Sequence, residues 1–447
     1  MTTPIVRFAP SPTGRLHVGN IRTALMNVLF VQANKGTFVL RIDDTDLERS
    51  TAEYEQGIHD DLTWLGVTWG KTFKQSDRFA MYDEAADKLK KDGLLYACYE
   101  TSEELDRQRK LLRVAGKPPV YNRAGLDLTE AQKAAYEAEG RTPHWRFKLS
   151  GGTVTWNDMV RGEQSIDMSS LSDPVLIRGD GSYLYTLPSV VDDIDAKITH
   201  VIRGEDHVTN SGAQIEIFQA LQAGKGAGHL PLFAHTPLLV GADGKSLSKR
   251  IGSLSMLELR QQGIEPMAIA SLLAKIGTSD AVDIRSSLDA LASEFSFSKI
   301  GRAPARFDEK DLIALNAKLL HETSYEDVAD RVPGDAAFWN IVRANIEKIS
   351  DVDAWAKIVL KPMSGEIADE DAVFCEAAAD FLPDTITADT WSSLIAHLKA
   401  ETGRKGKGLF MPLRLALTGE QHGPSMDDML QLLGAEKAKS RLRGQSA

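Results

Sequence analysis

Only two of the 447 residues are cysteine, Cys98 and Cys375. Two thiols make neither a disulfide framework nor a Cys-rich metal site. Long apolar runs are missing as well. Stretches such as ALMNVLFV fall far short of the roughly 20 residues that cross a bilayer. The opening lacks a basic run followed by an apolar one, so no signal peptide is expected and a cytoplasmic location is the default. Positive charge is in short supply: the net charge is -11. That argues against nucleic-acid binding over the whole surface, but not against a local basic groove, because patches rather than totals set the field. There is no internal repeat and no low-complexity tract. What remains, 43% hydrophobic and 26% charged, is the balance of an ordinary globular chain, and its length implies two to four domains.

The first 95 residues or so alternate strand and helix patterns. IVRF and TFVLRID read as strands, and HVGNIRTALMNVLFVQ, YEQGIHDDLTWLGV and DRFAMYDEAADKLKKDG as helices. This spacing predicts a parallel sheet with a nucleotide-type site at its strand ends. Residues 96–190 differ: one helical stretch, SEELDRQRKLLRVAG, precedes short β-rich pieces such as HWRFKL and GTVTWNDMV. The α/β pattern returns with KITHVIRGED and GAQIEIFQAL, and from about residue 255 the 3.6-residue period dominates. The expected fold is α/β: a Rossmann-type parallel sheet split between 1–95 and 191–255. An inserted α+β lobe covers 96–190, a helical region 256–320, and an all-helical end 321–447.

Two stretches carry chemistry. The first is FAPSPTGRLHVGN, Phe8 to Asn20. His17 and Asn20 stand three apart, on one face at the start of a helix, where N–H groups and the dipole favour anions. Pro10, Pro12 and Gly14 shape the loop, and Gly19 lets a ligand approach the backbone. That is a phosphate-binding arrangement without a Walker loop; a surface loop with a capping His is the alternative. The second is GADGKSLSKRIG, where Lys245, Lys249 and Arg250 stand among Gly and Ser. Such a loop can close over a polyphosphate and neutralise charge developing on a leaving group. A third group is the C-terminal run of cations: Arg404, Lys405, Lys407, Arg414, Lys437, Lys439, Arg441 and Arg443. It reads as solvated surface or as a local basic groove.

HVGN resembles the HIGH signature of class I aminoacyl-tRNA synthetases, and SLSKR resembles their KMSKS signature. RFAPSPTGRLHVGNIRTAL, LRIDDTDLERS, VVDDIDAKITHVIRGEDH, PARFDEKDLIALNAKLLH and GKGLFMPLRLALTG are similar to the glutamyl-tRNA synthetases over nearly the whole chain. A glutaminyl enzyme would show a PEPNG-like loop in place of PSPTG. The resemblance implies ATP-dependent attachment of L-glutamate to the 3′ end of tRNA-Glu through glutamyl-adenylate, with tRNA-Gln as a further or alternative acceptor. It implies that His17, Gly19, Asn20, Glu205, His207, Lys249 and Arg250 meet ATP. Of these, His17 would stabilise the reacting phosphate and Lys249 the departing pyrophosphate. Arg7, Ser11, Asp43, Tyr185 and Arg203 would hold glutamate. Asp43 stands where the family usually has Glu, one methylene longer.

Magnesium would accompany ATP. The helical end would read an anticodon, with Arg404 and Arg414 touching tRNA and with Phe410 and Trp391 in the core. Many bacterial relatives carry a Cys-rich zinc site in the inserted lobe. Here Cys98 stands alone, so zinc is not expected. A monomer is expected. Three other readings are weighed: a paralogue that transfers activated glutamate to a tRNA base, a small-molecule nucleotidylyltransferase, and a non-catalytic tRNA-binding protein. The first two would not need the helical end, and the third would not need the paired signatures.

Overall fold

A computed structural model describes residues 3–224, 229–245, 247 and 254–447. The chain divides into two compact units, Met1–Leu259 with Ala270–Asp308, and Arg260–Ile269 with Glu309–Ala447. The first unit opens with β1 (Ile5–Phe8), α1 (Val18–Ala33), β2 (Thr37–Ile42), α2 (Ala52–Trp64), β3 (Lys71–Lys74) and α3 (Phe79–Lys91). β1 pairs in parallel with β2, and β2 with β3. Helix α1 is apolar on nearly every side and is buried along most of its length, as such a helix must be. Its two interior polar side chains are spent on carbonyls. Asn27 donates to Thr23 and Ile202, and Arg22 to Pro237 and Ile276.

Next come β4 (Leu95–Cys98), α4 (Ser102–Val114), α5 (Glu130–Ala138), β5 (His144–Phe147), β6 (Thr153–Asp158), β7 (Gly162–Asp167) and β8 (Val175–Ile177). β4, β5 and β8 form a small antiparallel sheet. α4 and α5 bury no residue and begin with capping boxes, Thr101 with Glu104 and Thr129 with Gln132. Local end contacts, rather than core packing, define where they start. After them run α6 (Thr186–Asp195), β9 (His200–Gly204), α7 (Val208–Gln222), β10 (Leu232–Thr236) and β11 (Leu239–Gly241). The hairpin β6–β7, which the sequence reading assigns to the inserted lobe, shares a sheet with the later strands, in the order β7-β6-β10-β9.

The two half-sheets meet at the starts of β1 and β9. Thr199 donates its backbone N–H to the Ile5 carbonyl at 2.8 Å, and the Ile5 N–H donates to Thr199 Oγ1 at 2.7 Å. Val39, Trp156, Ile198, Val201, Ile215 and Phe233 fill one core that draws on both halves. Each such buried side chain contributes ~1.5–3 kcal/mol.

The elements α8 (Met256–Gln261), α9 (Pro266–Lys275), α10 (Leu288–Glu294) and β12 (Ala305–Phe307) follow, with β12 parallel to β11. The second unit is helical: α11 (Glu309–Glu322), α12 (Ala336–Val342), α13 (Val352–Leu360), α14 (Ala372–Phe381), α15 (Thr390–Thr402), α16 (Lys407–Thr418) and α17 (Met426–Leu442). Phe338, Trp339, Leu394, Leu413 and Met429 lie at its centre. α17 breaks at Gly434, whose φ of 74° is a left-handed conformation that costs glycine little. Among the described residues, no helix is long and apolar enough to cross a membrane.

Candidate active site

Because β1 and β9 start side by side, their far ends, Phe8 and Gly204, open onto one edge of the sheet. β1 has β2 on one flank and β9 on the other. The chain therefore reverses its winding there, and that is where open α/β sheets bind ligands. The loop leaving β1 is pinned: its Pro10 and Pro12 carbonyls accept the N–H groups of Asp43 and Thr51. It delivers His17 to the N-cap of α1. His17 Nδ1 accepts the Gly19 N–H at 3.0 Å, and Asn20 Oδ1 accepts the His17 N–H at 3.2 Å. The first bond fixes the tautomer. Nδ1 is an acceptor, so the proton sits on Nε2, and burial holds the imidazole below its ordinary pKa. A neutral ring with an Nε2–H donor stands at the positive end of a 16-residue helix.

Two details differ from the sequence reading. A Cβ on Gly19 would come within 2.8 Å of His17 Cε1, so the glycine makes room for the imidazole itself. The N–H groups of Val18 and Gly19 are also not free. Val18 donates to Leu254 and Gly19 to His17. The Val18–Leu254 bond, with Met256 N–H to the Leu16 carbonyl, ties the first motif's loop to the segment that follows the second motif. Lys249 and Arg250 lie outside the described residues. Lys245 is exposed, beside the β11 turn.

Behind this loop lies a buried lattice of arginines. Arg7, on β1, places Nε against both oxygens of Asp193, at 3.0 and 3.2 Å. Arg41, on β2, forks onto Asp43 at 2.6 and 3.1 Å and reaches Asp193 at 2.8 Å. Arg78 and Tyr82 bond Asp192. Three guanidiniums thus face Asp43, Asp192 and Asp193, and Arg78 also reaches the half-exposed Asp195 at 2.6 Å. Burial pushes the Asp43 carboxyl up to about 6, against the pull of Arg41.

Arg203, at the end of β9, breaks that balance. Its side chain is buried, and its partners are neutral. Nη2 donates to Ser211 Oγ at 2.6 Å and to Gln214 Oε1 at 2.7 Å, and Nε donates to His235 Nε2 at 3.4 Å. Of the five guanidinium N–H groups, the two on Nη1 have no partner among the described residues, and none of these residues brings a carboxylate into an ion pair with Arg203. Burial and the nearby Arg7 bring its pKa down to about 10, so it keeps its charge at neutral pH. A buried cation with a free donor edge suits an anionic ligand.

Tyr185 precedes α6 and is partly exposed, its ring 6.1 Å from that of His207. Ser11 is exposed in the β1 loop. Glu205 pairs with Arg161. His207 packs against Asn210 and Asp206, and burial holds its pKa down. Sequence reasoning passed over Arg41, Asp158, Asp193 and His235. The signal available was the pair of acids in VVDDID inside an apolar run.

In the inserted lobe, ligand atoms of Cys98, Glu100 and His144 lie within 4.8 Å of one another. Glu100 Oε2 and His144 Nε2 have no hydrogen-bond partner among the described residues. The Tyr121 hydroxyl sits among them, 2.7 Å from Glu100 and 3.5 Å from Cys98 Sγ. Burial pushes the Cys98 thiol up to about 11.

In the helical unit, Arg404 pairs with Asp371 at 2.5 Å and lies 4.2 Å over the Phe374 ring. It also donates to the Gly408 carbonyl at 3.3 Å. Pro412, inside α16, cannot donate to that carbonyl, and Arg404 takes its place. Arg414 donates to the Pro424 carbonyl. Arg441 is fully buried on the carbonyls of Ile358, Lys361, Leu417 and Ala447. Trp391 packs on the core, as expected. Phe410 does not. It is 45% exposed, on the outer face of α16. A cavity of about 570 Å³ is lined by Arg404, Lys405, Lys407, Glu366 and Glu370, among others.

Residues 5–313 match the model of the class I tRNA synthetase catalytic domain of the E and Q type, and residues 339–445 match an anticodon binding domain. The chain is 61% identical to glutamate–tRNA ligase 2 of Hyphomonas neptunium, over 99% of this chain and 100% of that one. It is 57% identical to glutamate–tRNA ligase 1 of Maricaulis maris, over 99% of each. Among solved structures it is similar to a glutamate–tRNA ligase of Elizabethkingia meningosepticum in complex with its amino acid. The TM-score is 0.84 and the identity 28%, over 99% of this chain and 98% of that one.

Proposed function

The chain belongs to the class I tRNA synthetases of the glutamate and glutamine type, and from that premise we propose that it joins L-glutamate to tRNA-Glu at the expense of ATP. An oxygen of glutamate's α-carboxylate attacks the α-phosphorus, and pyrophosphate leaves. The terminal ribose hydroxyl of tRNA then attacks the adenylate's carbonyl carbon, and AMP leaves. The observation that carries the reading is Arg203: a buried cation whose Nη1 has no partner among the described residues, beside Arg7, at the edge where His17 caps α1. A substrate with a second carboxylate supplies the missing counter-charge, and an Arg fork recognises it bidentately.

In this reading the neutral His17 donates from Nε2 to the triphosphate as charge builds at the α-phosphate, with the α1 dipole behind it. Lys249 neutralises the departing pyrophosphate, and Arg250, Asn20 and Gly19 border the nucleotide. Glu205 and His207 lie on the adenosine side. Arg7 and Arg203 hold substrate carboxylates, Ser11 and Tyr185 bond the amino acid, and Asp43 faces its ammonium. Asp43 is shorter than the usual Glu, and Arg41 holds it by two bonds, so its reach is set by Arg41. Magnesium is brought by ATP. The one cluster of metal-ligand type among the described residues, Cys98–Glu100–His144, has softer donors than magnesium prefers. With three such donors against the usual four of structural zinc, and a tyrosine hydroxyl among them, we propose that the lobe works without zinc.

The helical unit takes the anticodon end of the tRNA. Arg404 and Arg414 serve that role chiefly by shaping α16, since their hydrogen bonds go to the protein's own groups. The protein acts as a monomer in the cytoplasm. Aminoacylation with radiolabelled glutamate, on purified tRNA-Glu and tRNA-Gln separately, tests the reading. Charging of tRNA-Glu supports it, and charging of tRNA-Gln as well marks a non-discriminating enzyme. Charging of neither, with native modified tRNAs also inert, refutes it.

A further inference from the structure

Behind Arg203 runs a chain of buried groups that touches no solvent. Asp158 ends β6 and His235 lies on β10, both with fully buried side chains. Asp158 Oδ2 meets His235 Nδ1 at 2.5 Å. Its Oδ1 accepts three backbone N–H groups, from Val160 and Arg161 at 3.0 Å and from His235 at 3.1 Å. Burial pushes this carboxyl up, but these donors outweigh it and hold the group below its ordinary range. A carboxylate so held takes a proton donor from the ring, so His235 carries its hydrogen on Nδ1. Burial, with Arg203 alongside, keeps the imidazole neutral although Asp158 favours its charged form. Its Nε2 lone pair is therefore bare. Arg203 Nε donates to it at 3.4 Å, and the Ser211 hydroxyl lies 2.8 Å away, within reach also of the His207 carbonyl at 3.2 Å.

We propose that Asp158 and His235 are a positioning pair for substrate selection. Asp158 locks His235 in the Nδ1–H tautomer, and the bare Nε2 holds the Nε edge of Arg203, leaving Nη1 for a carboxylate of the amino-acid substrate. The proposal rests on the reading of Arg203 as a substrate clamp and adds what aims it. The opposite tautomer would set an Nε2–H against the guanidinium Nε–H, donor against donor, and turn the clamp. Neither residue need touch substrate, so both act through Arg203.

Asp158→Asn in the full chain is the discriminating variant. The Asn oxygen still accepts the three backbone N–H groups. Its NH2 faces His235 Nδ1 and drives the ring proton to Nε2. By the logic of an orienting carboxylate replaced by its amide, the KM for glutamate in tRNA-Glu charging should rise about tenfold or more, with the KM for ATP within about twofold. Nitrogen NMR of the histidine-labelled protein should show Nδ1–H at His235 in the wild type and Nε2–H in the variant. A swapped tautomer with an unchanged glutamate KM would overturn the proposal, and so would a wild type protonated on Nε2. Should Asp158→Asn fail to fold, His235→Gln, which returns an acceptor oxygen near the Nε2 position, is compared with His235→Leu. A glutamate KM raised in Leu but kept by Gln supports the pair; equal values in both overturn it. A wild type that charges no tRNA with glutamate would instead refute the ligase reading, and this proposal with it, before any variant is compared.

Discussion

Replacing Arg203 by Met removes the charge and keeps most of the side-chain volume. In the protein without substrate, three hydrogen bonds to neutral acceptors are lost, at ~1 kcal/mol each. Against that stands the relief from burying a guanidinium that has no carboxylate partner, several kcal/mol in the other direction. The two terms nearly cancel, so the thermal midpoint should move by no more than about 5 °C. With glutamate bound, the balance is different. A substrate carboxylate would then lie buried without its cation, and truncating one member of such a pair costs ~2–5 kcal/mol. At tenfold per 1.4 kcal/mol, kcat/KM for glutamate should fall roughly 30- to 4,000-fold. Steady-state charging of tRNA-Glu over a range of glutamate concentrations, paired with a thermal melt, reads both quantities. A fall of less than about threefold would remove Arg203 from the substrate site. A midpoint lowered by 15 °C or more would show it to be a structural residue whose loss unfolds the sheet.

The remaining predictions concern other parts of the chain. Asp43 has a folded-state pKa of about 6 against 3.8 for the free group. Its contribution to stability is therefore fullest below about pH 4 and is lost as pH rises through 6. The ionised form that attracts an ammonium is present only above about 6, so the KM for glutamate should rise as pH falls through that value, and Asp43→Asn should flatten the profile; an identical profile in the variant would exclude Asp43. Lys249→Ala should slow glutamate-dependent ATP–pyrophosphate exchange more than it weakens glutamate binding, and unchanged exchange would sink its assignment. Metal analysis should find no stoichiometric zinc, and one zinc per chain would show that Cys98, Glu100 and His144 recruit a fourth ligand. Arg404→Ala leaves Asp371 and the Gly408 carbonyl without their donor, so it should destabilise the protein by ~1–2 kcal/mol in chemical denaturation; full stability with weakened tRNA binding would make Arg404 a tRNA contact instead.

The legible part of this protein was periodic or local. Strand–helix alternation foretold the split sheet, and the His17–Gly19–Asn20 spacing foretold a helix start at the strand end. The 3.6-residue period foretold most of the C-terminal helices. The reading faltered where a residue's meaning is set by a distant partner. Gly19 looked like space for a ligand, yet the space belongs to the imidazole two residues earlier. The C-terminal cations looked like a groove or a solvated face, yet Arg441 is buried on four carbonyls and Arg404 repairs the gap that Pro412 leaves in α16. Phe410 was placed in the core by the helical apolar period; its position on α16 puts it outside.

His235 shows most clearly why such residues stay hidden. In FAHTPLL it is one of two polar letters in an apolar run, and Asp158 stands 77 residues earlier in a stretch that reads as part of another lobe. Their meeting depends on β6 joining β10, a pairing that rests on one register pair, Phe233 with Asp158, and that no local pattern announces. The charge arithmetic around them is equally non-local. Arg7, Arg41 and Arg78 come from β1, β2 and the turn before α3, while Asp192 and Asp193 come from α6. Only when the sheet closes do these cations meet their acids, while Arg203 is left without a carboxylate among the described residues. A sequence can nominate arginines for a dicarboxylate substrate. Which of them the protein neutralises for itself, and which it keeps charged for the ligand, is decided by the order in which the strands lie.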